Sequence, residues 1–279
     1  MDSVRRIFDR FCNRPCCVYL DDQIGEEIKV EVLLVLLLFG WNHCHCLQPF
    51  IMLDFQQGEI LLIDKPLDWT SFQVVNKIRY AIRKKLGIKK IKVGHAGTLD
   101  PLATGLLVLC TGKKTKTIEE IQRQTKEYTG RIRLGSTTPS FDLETEVDQR
   151  FSTDHLNDDM VRDAALKMTG EQDQIPPSFS AKKVSGQRAY NAARKGDLIV
   201  LPPNKVQVYD FEVDCSELPE VNFRISCSKG TYIRALARDL GSAVNSGGHL
   251  IQLRRTKIGG FSVEDALTID EMVEQIRHM

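Results

Sequence analysis

Long apolar runs are scarce in this 279-residue chain. The longest candidate is Val32–Phe39 (VLLVLLLF), far short of the roughly 20 residues a membrane helix needs. It is also a poor secretory signal. Asp21, Asp22, Glu26 and Glu27 precede it where positive charge is expected, and the residues after it, Trp41 to Cys46, offer no small-residue cleavage site. No membrane partner is expected. An excess of one charge sign is missing too: 38 basic against 37 acidic side chains leave a formal charge of +1, so no global basic surplus announces a nucleic-acid partner. Cysteine is thin over most of the chain. Five of the eight (Cys12, Cys16, Cys17, Cys44, Cys46) fall in the first 57 residues, leaving Cys110, Cys215 and Cys227, each inside an apolar or strand-like run. That main part reads as reduced and intracellular, with buried thiols rather than a disulfide framework. Internal repeats and low-complexity tracts are absent.

The first 57 residues differ in kind. They hold five basic and eight acidic side chains, against 33 and 29 in residues 58–279. His43-Cys44-His45-Cys46 presents four zinc-type ligands, but alternating ligands in one short run seldom close a tetrahedron without distant partners, so no metal is expected. Residues 1–57 read as an N-terminal extension rather than a folded unit, and translation starting upstream of Met52 would explain residues 1–51. Residues 58–279 read as the folded body of the chain.

From Gly58 the punctuation becomes regular. Glu59–Asp64 predicts a strand ended by Lys65-Pro66. Thr70 or Ser71 can cap a helix to about Leu86, with Phe72, Val75, Ile78 and Ile82 on one face. Val93–Thr104 reads as a glycine-containing loop leading into the apolar run Gly105–Cys110. Tyr128–Leu134 alternates as a half-buried strand, Ile132 and Leu134 opposite Arg131 and Arg133. Helices are expected over Asn157–Thr169, Arg188–Lys195 and Ile233–Val244, and strands over Val206–Val213, Val221–Ser228 and His249–Arg255. Thr268-Ile269-Asp270-Glu271 is a capping box opening a last helix. Helices and strands interleave without a strict βαβ repeat, which predicts an α+β fold with a mixed, largely antiparallel sheet.

Charge is segregated along this part. No acidic residue lies between Asp68 and Asp100, where Lys77, Arg79, Arg83, Lys84, Lys85, Lys89, Lys90 and Lys92 occur. The same holds between Asp173 and Asp197 and between Asp239 and Glu264. A single such window is usually a solvated helix face. Three in a nearly neutral chain imply a positive surface suited to phosphate backbones, and neighbouring aromatics such as Trp69, Phe72, Tyr80 and Tyr190 would suit stacked bases.

The chemistry-bearing stretch is Val93-Gly-His-Ala-Gly-Thr-Leu-Asp-Pro-Leu-Ala-Thr-Gly105. Gly94 and Gly97 permit a tight loop and Pro101 fixes the backbone after Asp100. An Asp before Pro is ordinarily a turn residue. Here it lies among His95 and Thr98, beside an apolar strand and a cationic helix, where a carboxylate in its charged form could attack an electrophilic carbon.

This stretch resembles the signature of the bacterial tRNA pseudouridine-55 synthases, the TruB family. So do Lys65-Pro66 with Trp69-Thr70-Ser71, Lys126-Glu127-Tyr128, Ile175–Lys183 with Gly186–Arg194, Cys227–Arg234 and Leu253-Arg-Arg255, in family order. The resemblance implies a pseudouridine synthase fold with flanking helices, a central RNA-binding cleft and a substrate-gripping thumb loop at about 175–204. It implies isomerisation of uridine 55 in the T loop of tRNA, with Asp100 as the essential carboxylate at ribose C1′ and Arg234 as its ion-pair partner. Whether Asp100 adds to the sugar or takes the 2′ proton to give a glycal stays open. Tyr128 corresponds to the tyrosine stacking on the target base, His95 to a residue holding the extruded nucleotides, Tyr232 and Leu253 to the uracil pocket, and Lys65 to its supporting wall. The substrate must leave its stack; reactant and product are isomers, so no cofactor is required. The partner implied is the T arm of tRNA, met by a cytoplasmic monomer. Longer family members continue into a small RNA-binding domain, so an end at Met279 suggests a single catalytic domain, and Gly135–Glu146 follows the family only loosely. Competing readings are a non-catalytic RNA binder or tRNA-folding chaperone, a membrane-tethered or zinc-binding protein defined by the N-terminal segment, and the same chemistry on another structured RNA.

Overall fold

Strand periodicity and one long apolar run build the frame. The computed structural model describes residues 53–179, 183–184, 187–188 and 201–279. The apolar run at 32–39, the His43–Cys46 stretch, most of the expected helix at Arg188–Lys195 and the middle of the thumb segment lie outside them. β1 (Ile60–Lys65) alternates, burying Leu61, Ile63 and Lys65. β3 (Ala103–Thr111) is buried on both faces, as its unbroken apolar sequence requires of an interior strand. β4 (Lys126–Leu134), β10 (Asn204–Glu217) and β11 (Glu220–Cys227) alternate, with one face on the core and one in solvent. With β12 (Gly248–Ile258) and β7 (Gly170–Gln174), they form a sheet in the order β1-β3-β12-β4-β11-β10-β7. β2 (Val93–His95) joins β3, so the first part of the expected Val93–Thr104 loop is a strand.

Every neighbouring pair in this sheet is antiparallel except β3 with β12. The sheet is therefore mixed and largely antiparallel. That one parallel contact places Gly105 opposite Arg255 and Ala103 opposite Leu253. On its other side β12 sets Arg255 against Tyr128 and Leu253 against Gly130. Register shifts between Leu250 and Gln252 and between Arg255 and Lys257 bracket this pair of residues; such bulges re-aim side chains. Gly105 has φ +98°, and a Cβ there would stand 2.3 Å from the Arg255 carbonyl oxygen, so only glycine lets β3 and β12 close here.

α3 (Asp158–Lys167) and α4 (Ile233–Ala243) cover one face and share a core with Tyr128, Ile132, Val208, Phe211, Phe223, Ile225, Leu236 and Leu240. α1 (Ser71–Leu86) packs with α5 (Ile269–His278), and Lys85 Nζ donates to the Arg277 carbonyl at 3.0 Å. Both helices open with a capping box, Thr70 with Gln73 and Thr268 with Glu271. The core face of α1 is Val74, Val75, Ile78, Ala81 and Ile82. Phe72, expected on that face, is 66% exposed: it precedes Ile78 by six residues, which puts it about 120° from the stripe's centre.

The compact unit begins at Asp54, slightly ahead of the Gly58 expected from punctuation, and Phe55 is buried in it. A short α2 (Ile118–Arg123) precedes β4. Two-residue strands β5 (Ser136–Thr137) with β6 (Gln149–Arg150), and β8 (Lys183–Val184) with β9 (Gln187–Arg188), form small separate pairs, and β13 (Phe261–Ser262) hairpins onto β12. Among the described residues no helix is long and apolar enough to cross a membrane.

Candidate active site

The Gly97–Pro101 loop is held by donors from three elements. At the start of α1, Ser71 Oγ donates to the Leu99 carbonyl (3.0 Å) and accepts from the Leu99 N–H (2.8 Å). Arg255 on β12, 1% exposed, donates from its guanidinium to the Gly97 carbonyl (3.0 Å) and from Nε to that of Leu106 (2.8 Å). Lys65, fully buried at the end of β1, donates to the carbonyls of Pro66 (2.8 Å), Trp69 (2.6 Å) and Pro101 (3.2 Å), and the Asp68 N–H also reaches Pro101 O (3.0 Å). Burial pushes the Lys65 ammonium down to about 8, against the opposing pull of Asp100 and Asp68. These bonds fix both sides of Asp100 without touching its carboxylate.

The carboxylate meets Arg234. Asp100 Oδ2 lies 3.0 Å from the Arg234 guanidinium; the arginine side chain is 6% exposed and the aspartate 43%. Arg234 stands in the first turn of α4, where the helix dipole disfavours a cation. Its surroundings compensate. The guanidinium donates to the carbonyls of Ser140 (3.1 Å) and Phe179 (2.9 Å), and its Nε lies 3.5 Å from the buried Asp142 carboxylate. Burial pushes the Asp142 carboxyl above its ordinary range, with Arg234, the Ser140 hydroxyl and the Glu144 N–H pulling the other way. Asp142 carried no signal in the sequence. It sits in the Gly135–Glu146 stretch that follows the family only loosely, and only the fold brings it to Arg234.

Asp100 and Arg234 line two adjoining recesses. The larger, about 340 Å³, is walled also by Lys126, Tyr128, Tyr232, Leu253 and Arg255. The smaller, about 120 Å³, is mostly apolar, with Leu67, Leu102, Leu143 and Leu250 in its wall and Leu253 shared. The structure thus gathers five of the expected residues, Asp100, Tyr128, Tyr232, Arg234 and Leu253, around one cleft. Lys65 and His95 do not line it. Lys65 lies behind the loop as a strut. His95, on β2, is half-buried; burial and Arg255 push its imidazole below the ordinary range, and its buried Nδ1 has no hydrogen-bond partner among the described residues. The Tyr128 phenol, buried, is pushed upward, with Arg255 beside it opposing. Burial takes the Lys126 ammonium down to about 8, helped by Arg255. Tyr232 is fixed through its backbone: its N–H donates to Gln174 Oε1 (2.8 Å) and its carbonyl accepts from Gln174 Nε2 (3.1 Å). Arg255 appears in the Leu253-Arg-Arg255 motif, yet nothing in the sequence separates its buried role from that of Arg254, which instead pairs with Asp64 at 2.7 Å.

Comparison with known proteins supplies the family. The sequence profile described as "TruB family pseudouridylate synthase (N terminal domain)" matches residues 83–233, more than half of the chain. The chain belongs to the TruB family. A second profile, "tRNA pseudouridylate synthase B C-terminal domain", matches residues 234–278. In this TruB-family chain those residues are α4, β12, β13 and α5, so the segment supplies an interior strand of the sheet rather than an appended body. The chain is 55% identical over 222 residues to tRNA pseudouridine synthase B of Phocaeicola vulgatus, covering 80% of this chain and 94% of the relative. It is 53% identical over 225 residues to that of Flavobacterium johnsoniae, covering 80% and 98%. Among solved structures it resembles a chain of a Cbf5-Nop10-Gar1 complex, with TM-score 0.58 and 29% identity, covering 79% of this chain. The TruB-family chain spans about half (54%) of that solved chain's length.

Proposed function

We propose that this chain isomerises uridine 55 in the T loop of tRNA to pseudouridine, with Asp100 as the essential carboxylate. The observation that carries the reading is the Asp100–Arg234 pair at 3.0 Å, on the wall common to two recesses. A buried guanidinium orients a half-exposed carboxylate, the arrangement needed for addition at ribose C1′ or proton abstraction at C2′. The C1′–N1 bond breaks and the base turns over. C5 then bonds to C1′, the C5 proton leaves to solvent and N1 gains one, so atoms and electrons balance without a redox partner. Both routes for Asp100, addition at C1′ or abstraction of the 2′ proton, use the same carboxylate. The larger recess takes the extruded base, with Tyr128 beneath it and Tyr232 and Leu253 along its sides, and Arg234 keeps Asp100 aimed at the sugar. Lys65 acts from behind the loop as its support, and His95 holds the extruded nucleotides.

The relatives carry the name tRNA pseudouridine synthase B, which supports tRNA as the substrate. The acting species in this reading is a monomer, working in the cytoplasm where tRNA is met. The catalytic unit in this reading is residues 58–279 with its thumb loop at about 175–204.

Sequencing of carbodiimide-treated tRNA from a strain deleted for this gene tests the proposal. The T-loop pseudouridine at position 55 is expected to vanish while pseudouridines elsewhere persist, and its return on complementation should require Asp100. Persistence of that pseudouridine in the deletion strain would refute the assignment of substrate and position.

A further inference from the structure

α1 begins at the candidate active site and carries an outward face that no other described element covers. Its first residue, Ser71, is hydrogen-bonded to Leu99, next to Asp100. Its 16 residues extend about 24 Å from there. Phe72, Lys77, Tyr80, Arg83 and Lys84 are all exposed. At 100° per residue they fall on an arc of about 140° opposite the core stripe of Val74, Val75, Ile78, Ala81 and Ile82.

Two features separate this face from an ordinary solvated helix. None of Lys77, Arg83 and Lys84 pairs with a carboxylate among the described residues. The arginines on the solvent face of the sheet do, Arg131 with Glu220 at 2.9 Å and Arg224 with Asp210 at 2.8 Å. Arg79 is set apart from the arc as well, its guanidinium spent on the Val93 carbonyl and the Asn76 side chain. The second feature is aromatic exposure. Phe72 and Tyr80 are 66% and 63% exposed, although both are large enough to be worth burying. Unpaired cations interleaved with exposed rings on one face match a polyanion whose units have π faces.

We infer that the outward face of α1 is an RNA-binding surface that tracks the substrate's backbone away from the Asp100 cleft. Lys77, Arg83 and Lys84 meet phosphates, and Phe72 and Tyr80 meet bases or sugars beside them. The inference rests on the RNA-modifying reading above and extends the contact surface beyond the cleft.

The test uses the full chain and an unmodified tRNA transcript. In the Lys77→Ala/Arg83→Ala/Lys84→Ala variant, the plot of log affinity against log salt should become shallower by about 2 to 3, roughly one for each lost phosphate contact. Affinity at physiological salt should fall at least about tenfold, while the single-turnover rate at saturating RNA stays at the wild-type value. In Phe72→Ser/Tyr80→Ser, affinity should fall by about tenfold or more with the salt slope unchanged. A photo-crosslinking side chain placed at position 80 should capture tRNA, a readout that needs no disruptive substitution. Wild-type affinity and slope in the triple variant, with no crosslink from position 80, would overturn the surface. Failure of the wild-type chain to make pseudouridine would instead sink the catalytic reading, because the α1 result is read from binding alone.

Discussion

The guanidinium of Arg234 stands 3.0 Å from the carboxylate of Asp100, and the two ends of this pair are unequally exposed, 6% for the arginine side chain and 43% for the aspartate. The anchor is rigid and dry while the reactive tip faces the cleft. Such asymmetry suits a group that must meet substrate in a fixed orientation.

Asp142 is the third member of this arrangement, 3.5 Å from Arg234 Nε and 5% exposed. Asp142→Asn removes the second negative charge at the guanidinium without changing shape. A lost charge-assisted contact of about 1.5–3 kcal/mol, felt in the transition state, lowers the rate by about 10- to 100-fold. Single-turnover kinetics should show this fall in rate with tRNA affinity held within a few-fold. An unchanged rate would remove Asp142 from the machinery.

Lys65 serves three carbonyls and lies outside the cleft. Lys65→Met fills the volume but leaves the Pro66, Trp69 and Pro101 carbonyls without their donor, at a cost of about 2–4 kcal/mol in stability. Urea unfolding should report that loss. A variant as stable as wild type would mean that water replaces the ammonium without penalty.

Gly105 is the tightest point of the β3–β12 contact. Gly105→Ala forces a Cβ against the Arg255 backbone at positive φ, and should cost about 3 kcal/mol or more or prevent folding. Equilibrium denaturation measures it, and a loss below about 1 kcal/mol would contradict the packing described.

His95 gives a pH test. Its folded pKa lies below the ordinary 6.5 because of burial and the nearby Arg255. As pH falls through 6.5 the unfolded chain takes up the proton first. The stability tied to neutral His95 is therefore complete above about 6.5 and is lost as pH drops toward the folded value. NMR titration should place the His95 imidazole below 6.5, and His95→Gln should flatten that part of the stability profile. A value above 6.5 would reverse the sign and contradict the burial assigned here.

Much of this fold was legible because periodicity and burial coincide in it. β4, β11, a helix cap at Thr70 or Ser71 and the capping box at Thr268 follow directly from alternation and cap chemistry. The elements that escaped are short or polar. β2 is three residues inside a glycine-containing stretch, β7 is Gly-Glu-Gln-Asp-Gln, and α2 is a six-residue helix. Their place is set by tertiary pairing rather than by local preference. Phe72 was misplaced because its distance from the stripe's centre only shows once the whole helix is phased. Within the site, Asp100 and Arg234 came from motifs. Lys65 was legible as a support through its motif, whereas Asp142 and Gln174 depend on contacts between distant segments, which no local pattern encodes.

The measurement closest to the central claim is tritium release from tRNA carrying [5-³H]uridine, comparing the wild-type chain with Asp100→Asn, alongside tRNA binding by both. Wild type should release one tritium for each uridine 55 converted, while Asp100→Asn binds the tRNA yet releases none above background. Release by Asp100→Asn at the wild-type rate would show that the chemistry does not run through this carboxylate.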